Sequence, residues 1–161
     1  MTPRRSSAEN DPKPTAAVTA GESCWLLPAG MIGLLVWMVG GLVLEGFHTF
    51  KSIFYLEDTL RRELWVLAHA HGTLFSVLCL VIHLLLNKLG LPASASRRID
   101  RVFSTGSWLL PLGFLLGGIM HPESDPNPLI LLVPAGALLS GYALLTLFIA
   151  WRRSKILTTE K

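Results

Sequence analysis

The chain has 161 residues, of which 51% are hydrophobic and only 16% are charged. A soluble domain carries roughly 25% charged residues, so this composition argues against a soluble globular protein and favours a membrane protein. The net charge of +3 does not indicate nucleic-acid binding. The basic residues stand at the ends of apolar runs and form no basic stripe with interleaved aromatic residues.

The first 23 residues are polar and rich in Ser, Ala, Pro and Thr. A cleavable signal peptide would place its apolar region much earlier, so we predict that residues 1–23 are a disordered cytoplasmic tail that stays attached. Two cysteines, Cys24 and Cys79, are too few for a disulfide framework.

Four apolar runs follow the polar tail, and a helix needs about 20 such residues to span a membrane. Lipid cannot satisfy open backbone groups, so runs this long and unalternating predict helices. We therefore expect an all-α integral membrane bundle over residues 24–152 and a second cytoplasmic tail over 153–161. The predicted transmembrane helices are 25–47, 64–86, 102–120 and 129–151.

Lysine and arginine counts predict the orientation in the bilayer, because basic residues resist translocation. Three basic residues lie in the N-terminal tail, four in the loop 88–101 and four at the C-terminal end, which together hold 11 of the 14. The opposite side has Lys51, Arg61 and Arg62, offset by nearby acidic residues. We therefore place both termini in the cytoplasm of a multi-pass protein of the bacterial inner membrane.

Small residues at a spacing of four indicate where the predicted helices approach one another. Gly113 and Gly117 form one such pair in the third helix. Two further pairs lie in the fourth helix: Gly136 with Ser140, and Ala137 with Gly141. Packing within the chain is the simpler interpretation, and the seam of a homodimer is the alternative. Asp58 or Thr59 can cap the start of the second helix.

The five histidines all belong to the predicted membrane region, and four of them share one level. His48, His69, His71 and His121 lie at the outer ends of three helices, with Glu45 at the same depth. Ionisable residues in spanning segments are costly to bury and are commonly functional. They could ligate haem b or copper, whereas the bland alternative is interfacial side chains and hydrogen bonds between helices. Glu45 could orient a ligand histidine, relay protons or reach headgroup water.

Helical geometry restricts how these histidines can act. His69 and His71 point about 200° apart, so they cannot grip one ion together on a regular helix. His69 and His83 lie within about 40° of one face and about 21 Å apart, a separation suited to two stacked haems. The sequence has no second histidine on the inner side, so two histidines from this chain could not ligate the inner of two such haems. His83 with Cys79, and Cys24 nearby, could instead form a small metal site, although a buried free cysteine is the more common case.

The stretch LAHAHGTLF, residues 67–75, resembles the A-H-x-H helix of haem–copper oxidase subunit I proteins and nitric oxide reductases. In that family the two histidines ligate two different haems, so the resemblance implies haem ligation by His69 and His71. It covers a few residues of the chain, whereas the family's catalytic subunit has about a dozen helices, and no counterpart of its copper-ligand set is present.

These observations lead to two principal hypotheses. In the first, a four-helix bundle binds haem b or a transition metal near its periplasmic side and serves redox transfer or the assembly of a respiratory complex. Its ligands would be His69, with His121 or His48, and His71 second; Glu45 would join a metal site. In the second, the chain is a structural subunit of a larger membrane complex without cofactor. A small transporter is a weaker third hypothesis, and no catalytic motif indicates an enzyme.

Overall fold

The protein is described by a computed structural model that covers residues 24–122 and 125–159, and within these ranges it forms helices and no strand. The predicted tail 1–23 lies outside the described residues. The helices are α1 (Leu26–Thr49), a short α2 (Ile53–Leu56), α3 (Thr59–Leu89), α4 (Ala93–Gly117) and α5 (Leu132–Thr159), with a 3₁₀ turn at Pro128–Leu131 before α5. The last helix therefore runs through most of the segment that was predicted to be a C-terminal tail.

Three helical segments are long and apolar enough to cross a membrane: Leu26–Thr49, Thr59–Leu89 and Pro128–Arg153. Their large apolar side chains point outward; Leu42 and Leu138, for example, are 73% and 75% exposed. In water such surfaces would drive aggregation, whereas lipid accommodates them. The all-helical fold and these segments support the predicted membrane protein.

The third predicted helix, 102–120, differs from the helix that is found. α4 begins at Ala93 and ends at Gly117, so its first turns contain Arg97, Arg98, Asp100 and Arg101. Its apolar part, 102–117, is about 24 Å long at about 1.5 Å per residue. The helix extends backward because Ile99, Asp100 and Phe103 are buried against the rest of the bundle.

α4 is the central helix of the bundle and contacts α1, α3 and α5. More of its residues are buried than in any other helix, among the described side chains, and these include the polar side chains of Asp100, Ser104 and Ser107. α1 packs along α3, and α5 packs along α4. A helix surrounded by neighbours can carry polar groups because protein atoms, rather than lipid, satisfy them.

The contact between α4 and α5 depends on close approach of the two backbones. A Cβ atom on Gly136 would lie 2.5 Å from the backbone nitrogen of Leu110, and one on Gly113 would lie 2.7 Å from that of Val133. Ser140 is buried at the same interface, whereas Gly141 faces open space. The Gly113/Gly117 and Gly136/Ser140 pairs thus pack within the chain, and the Ala137/Gly141 pair faces outward.

Candidate functional site

His69 lies on the side of α3 that faces α1. Its Nδ1 is 2.7 Å from the carbonyl oxygen of Trp37. A carbonyl oxygen can only accept a hydrogen bond, so Nδ1 carries the hydrogen and donates it. In the neutral ring Nε2 is then left with a free lone pair. This is how proteins commonly prepare a histidine to ligate a metal or haem iron, with one ring nitrogen held and the other available.

The ring of His69 fits against α1 because Gly41 has no side chain. A Cβ atom on Gly41 would lie 2.5 Å from Cε1 of His69 and 2.9 Å from each ring nitrogen. The backbone of α1 therefore forms a notch that holds the ring, and the Trp37 carbonyl sets its orientation.

An open groove of about 510 Å³ lies between α1 and α3 and includes His69 in its wall. This volume falls within the range of sites for small molecules and cofactors, roughly 300–1,000 Å³. Four polar side chains line it together with apolar ones. The lining residues are Met38, Gly41, Leu42, Leu44, Glu45, His48, Tyr55, Val66 and His69. Three predicted site residues, Glu45, His48 and His69, are thus brought together.

Tyr55, which was not among the site residues predicted from the sequence, is the fourth polar side chain of the groove. It is fully buried, and its hydroxyl has no hydrogen-bond partner among the described residues. Its ring packs on Phe47 and Trp65, and the edge of His48 meets it at 5.2 Å between ring centroids. Burial raises the pKa of Tyr55, against a weaker opposing effect of Arg62, so the hydroxyl remains a donor. A buried hydroxyl without a partner is costly, and a ligand with an acceptor atom would satisfy it.

His71 does not line the groove. Its Nδ1 donates to the carbonyl oxygen of Leu67, 2.9 Å away in the same helix, and its ring lies 5.1 Å from that of Phe114 in α4. The two histidines of the AHAH stretch therefore face different helices, as their predicted angle of about 200° requires.

His121 also lies away from the groove, beside Asp58. Its Nε2 is 2.9 Å from the Asp58 carboxylate, a contact that is an ion pair when the ring is protonated. Asp58 also accepts from the backbone N–H of Arg61, as a predicted cap of α3, and pairs with its guanidinium at 3.1 Å. Arg61 donates to the carbonyl oxygens of Phe54 and Gly118. This cluster ties the end of α2, the start of α3 and the end of α4 together.

A second polar cluster, at the opposite end of the bundle, centres on Asp100. Its carboxylate accepts from the backbone N–H groups of Trp25 and Leu26, both at 3.0 Å, and so caps the start of α1. Cys24 Sγ lies 2.9 Å from His83 Nδ1 and 3.6 Å from Asp100.

Asp100 lies in α4, although the sequence predicted a loop at this position. The four-residue spacing of Ile99, Phe103 and Ser107 is typical of one helix face, and this signal could have extended the predicted helix back to Asp100.

The suggested Cys/His metal site does not assemble in this cluster. Cys79 is buried and donates to Ser107 Oγ at 3.3 Å, on the α4 side, while His83 contacts Cys24. More generally, no three His, Cys, Asp or Glu side chains in residues 24–122 and 125–159 are placed to hold one metal ion. The geometry therefore gives no support to an ion bound by several side chains, but it leaves open a cofactor that needs one imidazole.

Comparison of the chain with protein-family models, with curated proteins and with solved structures gives no match. The geometry of these residues is therefore the basis for assigning a function.

Proposed function

We propose that the protein is a four-span integral membrane protein that binds haem b in the groove between α1 and α3, with His69 as an axial ligand. The observation that carries this proposal is the hydrogen bond from His69 Nδ1 to the Trp37 carbonyl. It fixes the tautomer in which Nε2 can ligate iron.

Haem b fits the groove better than a bare metal ion does. An ion would need several protein ligands, and the described residues offer no group of three. Haem brings four nitrogen ligands of its own and requires one or two side chains from the protein. The apolar walls, including Met38, Leu42 and Val66, suit a porphyrin face.

The polar residues of the groove would contact the edge of the haem and the face opposite His69. His48 is the candidate for a second axial ligand, because it lines the same groove. The unpartnered hydroxyl of Tyr55 could donate to a propionate. Glu45, which is exposed at the groove, would remain in contact with water or headgroups.

The proposed topology has four spans with both termini in the cytoplasm of a bacterial cell. The distribution of basic residues supports this orientation, and the central position of α4 supports its being the fourth span. The groove would then lie near the periplasmic side, and the chain would serve electron transfer or the assembly of a respiratory complex. The similarity of residues 67–75 to the histidine-bearing helix of haem–copper oxidases is consistent with His69 as the ligand.

An absorption spectrum tests the proposal. The full chain, expressed with haem available and purified in detergent, should show a Soret band that His69→Ala removes. His71→Ala and His83→Ala are matched controls in the same helix and should keep the band, because neither side chain lines the groove. A colourless wild-type protein, or a band that survives His69→Ala unchanged, would contradict haem binding at this site.

The second candidate function is a structural subunit of a membrane complex. Its support is the surface of α5, which packs on α4 and buries only one narrow stripe, Gly136, Ser140 and Ala143, along its described side chains. A colourless protein that co-purifies stoichiometrically with a partner would favour this role.

A further inference from the structure

The cluster at the start of α1 contains a row of three groups in successive contact: a thiol, an imidazole and a carboxamide. Cys24 Sγ is 2.9 Å from Nδ1 of His83, and Nε2 of the same ring is 3.2 Å from the side-chain amide of Asn87. Asp100 fixes the thiol opposite the ring, since it holds the backbone N–H groups of the next two residues. The groups come from three helices or their ends, so the bundle itself positions them.

The chemistry of this row is that of a cysteine paired with a base. The oxygen and nitrogen of an asparagine amide are interchangeable in position, so Asn87 can accept a hydrogen bond from Nε2–H. Nδ1 of His83 then has a free lone pair directed at the thiol. The same order of thiol, imidazole and carboxamide activates the nucleophile in cysteine hydrolases of unrelated fold.

The thiol requires such a base. Partial burial raises the pKa of the exposed Cys24 thiol, and the nearby Asp100 carboxylate adds to this effect, against the opposing hydrogen bonds from the backbone of Leu27 and Leu26. At neutral pH Cys24 is therefore a protonated thiol, and only the thiolate attacks efficiently.

The position of Cys24 indicates which electrophile would meet it. The residue is exposed and immediately precedes α1, the first apolar helix. Trp25 and Leu27 beside it are 57% and 44% exposed, which is typical of side chains at a lipid boundary. Long-chain acyl thioesters concentrate at this boundary, and juxtamembrane cysteines are common sites of S-acylation.

We propose that Cys24 is an S-acylation site and that His83 acts as its general base toward a long-chain acyl-CoA. The Cys24 sulfur attacks the thioester carbonyl while Nδ1 of His83 takes the thiol proton. The bond from the carbonyl carbon to the sulfur of coenzyme A breaks, and His83 returns the proton to the departing thiolate. The products are a Cys24 thioester and free coenzyme A, without oxidation or reduction. The attached chain would lie along the lipid-facing surface of α1.

The test uses the full chain in detergent micelles with palmitoyl-CoA, followed by intact mass spectrometry over time. The wild-type protein should gain one acyl group that neutral hydroxylamine removes. Cys24→Ser should gain none. Cys79→Ala, the matched cysteine control, should react as the wild type does, because Cys79 is buried in the bundle.

Loss of the base should slow the reaction about 100-fold, the lower range of general-base contributions. His83→Gln keeps a hydrogen-bonding group beside Cys24 but cannot take up its proton, and added imidazole should restore part of the rate. Labelling of Cys24 by a maleimide to the same final extent in the wild type and in His83→Gln would show that the thiol remains accessible. The proposal is overturned if the wild type gains no acyl group, if His83→Gln reacts at the wild-type rate, or if the acyl group lies on Cys79.

Discussion

The position of His69 depends on single residues of a different helix, and Gly41 is the clearest of them. The ring occupies the space that any side chain at position 41 would fill, and Trp37, one turn earlier, provides the carbonyl that holds it. Residues that orient a ligating histidine in this way commonly affect cofactor affinity nearly as much as the histidine itself does.

Gly41→Ala should therefore weaken haem binding about tenfold or more, because the added methyl group displaces the His69 ring. Haem titration followed at the Soret band measures the effect. Gly40→Ala is the matched control: a Cβ atom there meets nothing within 4 Å, so binding should not change. Equal affinities of the two variants would show that the notch does not position the ligand.

A second single residue with a measurable effect is Asp58, which caps the start of α3. Its burial acts to raise the carboxyl pKa, but the Arg61 N–H bond, the Arg61 charge and His121 outweigh this, and the pKa is lowered from its ordinary 3.8. A carboxylate with a depressed folded-state pKa stabilises the fold above its unfolded pKa, and this contribution is lost as the pH falls through the folded value.

The thermal stability of the wild type should consequently fall more steeply than that of Asp58→Asn as the pH is lowered from about 5 to about 3. Asp125→Asn serves as the control, since Asp125 is exposed and lies outside this cluster. Melting curves in detergent provide the measurement, and parallel pH dependences of the wild type and Asp58→Asn would disprove the role given to this cap.

At the scale of helices, glycines allow the backbones of α4 and α5 to approach closely. Gly136→Leu should lower the melting temperature in detergent by several degrees, because the side chain would meet the backbone of Leu110. Gly141→Leu, five residues further along the same helix, should leave it nearly unchanged, since that position is open. If both variants melted alike, the helices would not pack through this stripe.

For the whole molecule, the proposed orientation makes opposite predictions for two loops. In a background with Cys24→Ser and Cys79→Ser, a cysteine replacing Ser124 should react with a membrane-impermeant maleimide in intact cells. A cysteine replacing the exposed Ser94, at the start of α4, should react only after permeabilisation. The reverse pattern would show that the protein has the opposite orientation in the membrane. Reaction of both cysteines from outside would show that α4 does not span the membrane.

The sequence by itself determined the membrane class, the helical fold and the approximate place of each apolar helix. These follow from the length and polarity of local runs, and the bilayer leaves few alternatives for them. The same periodicity correctly separated His69 from His71. The Asp58 cap could also be predicted, and so could two of the three small-residue pairs, Gly113/Gly117 and Gly136/Ser140, because their spacing is local to one helix.

Only the tertiary structure decided which distant residues meet. Depth in the membrane placed four histidines at one level, but rotation about each helix axis directs His69 and His48 to the groove and His121 to Asp58. Asp100 fell within the predicted loop 88–101, yet it lies in a helix, and the N–H groups at the start of α1 satisfy its charge. The pairings of Asp100 with Leu26 and Trp25 join residues 74 and 75 positions apart in the chain, and local patterns carry no information about such packing.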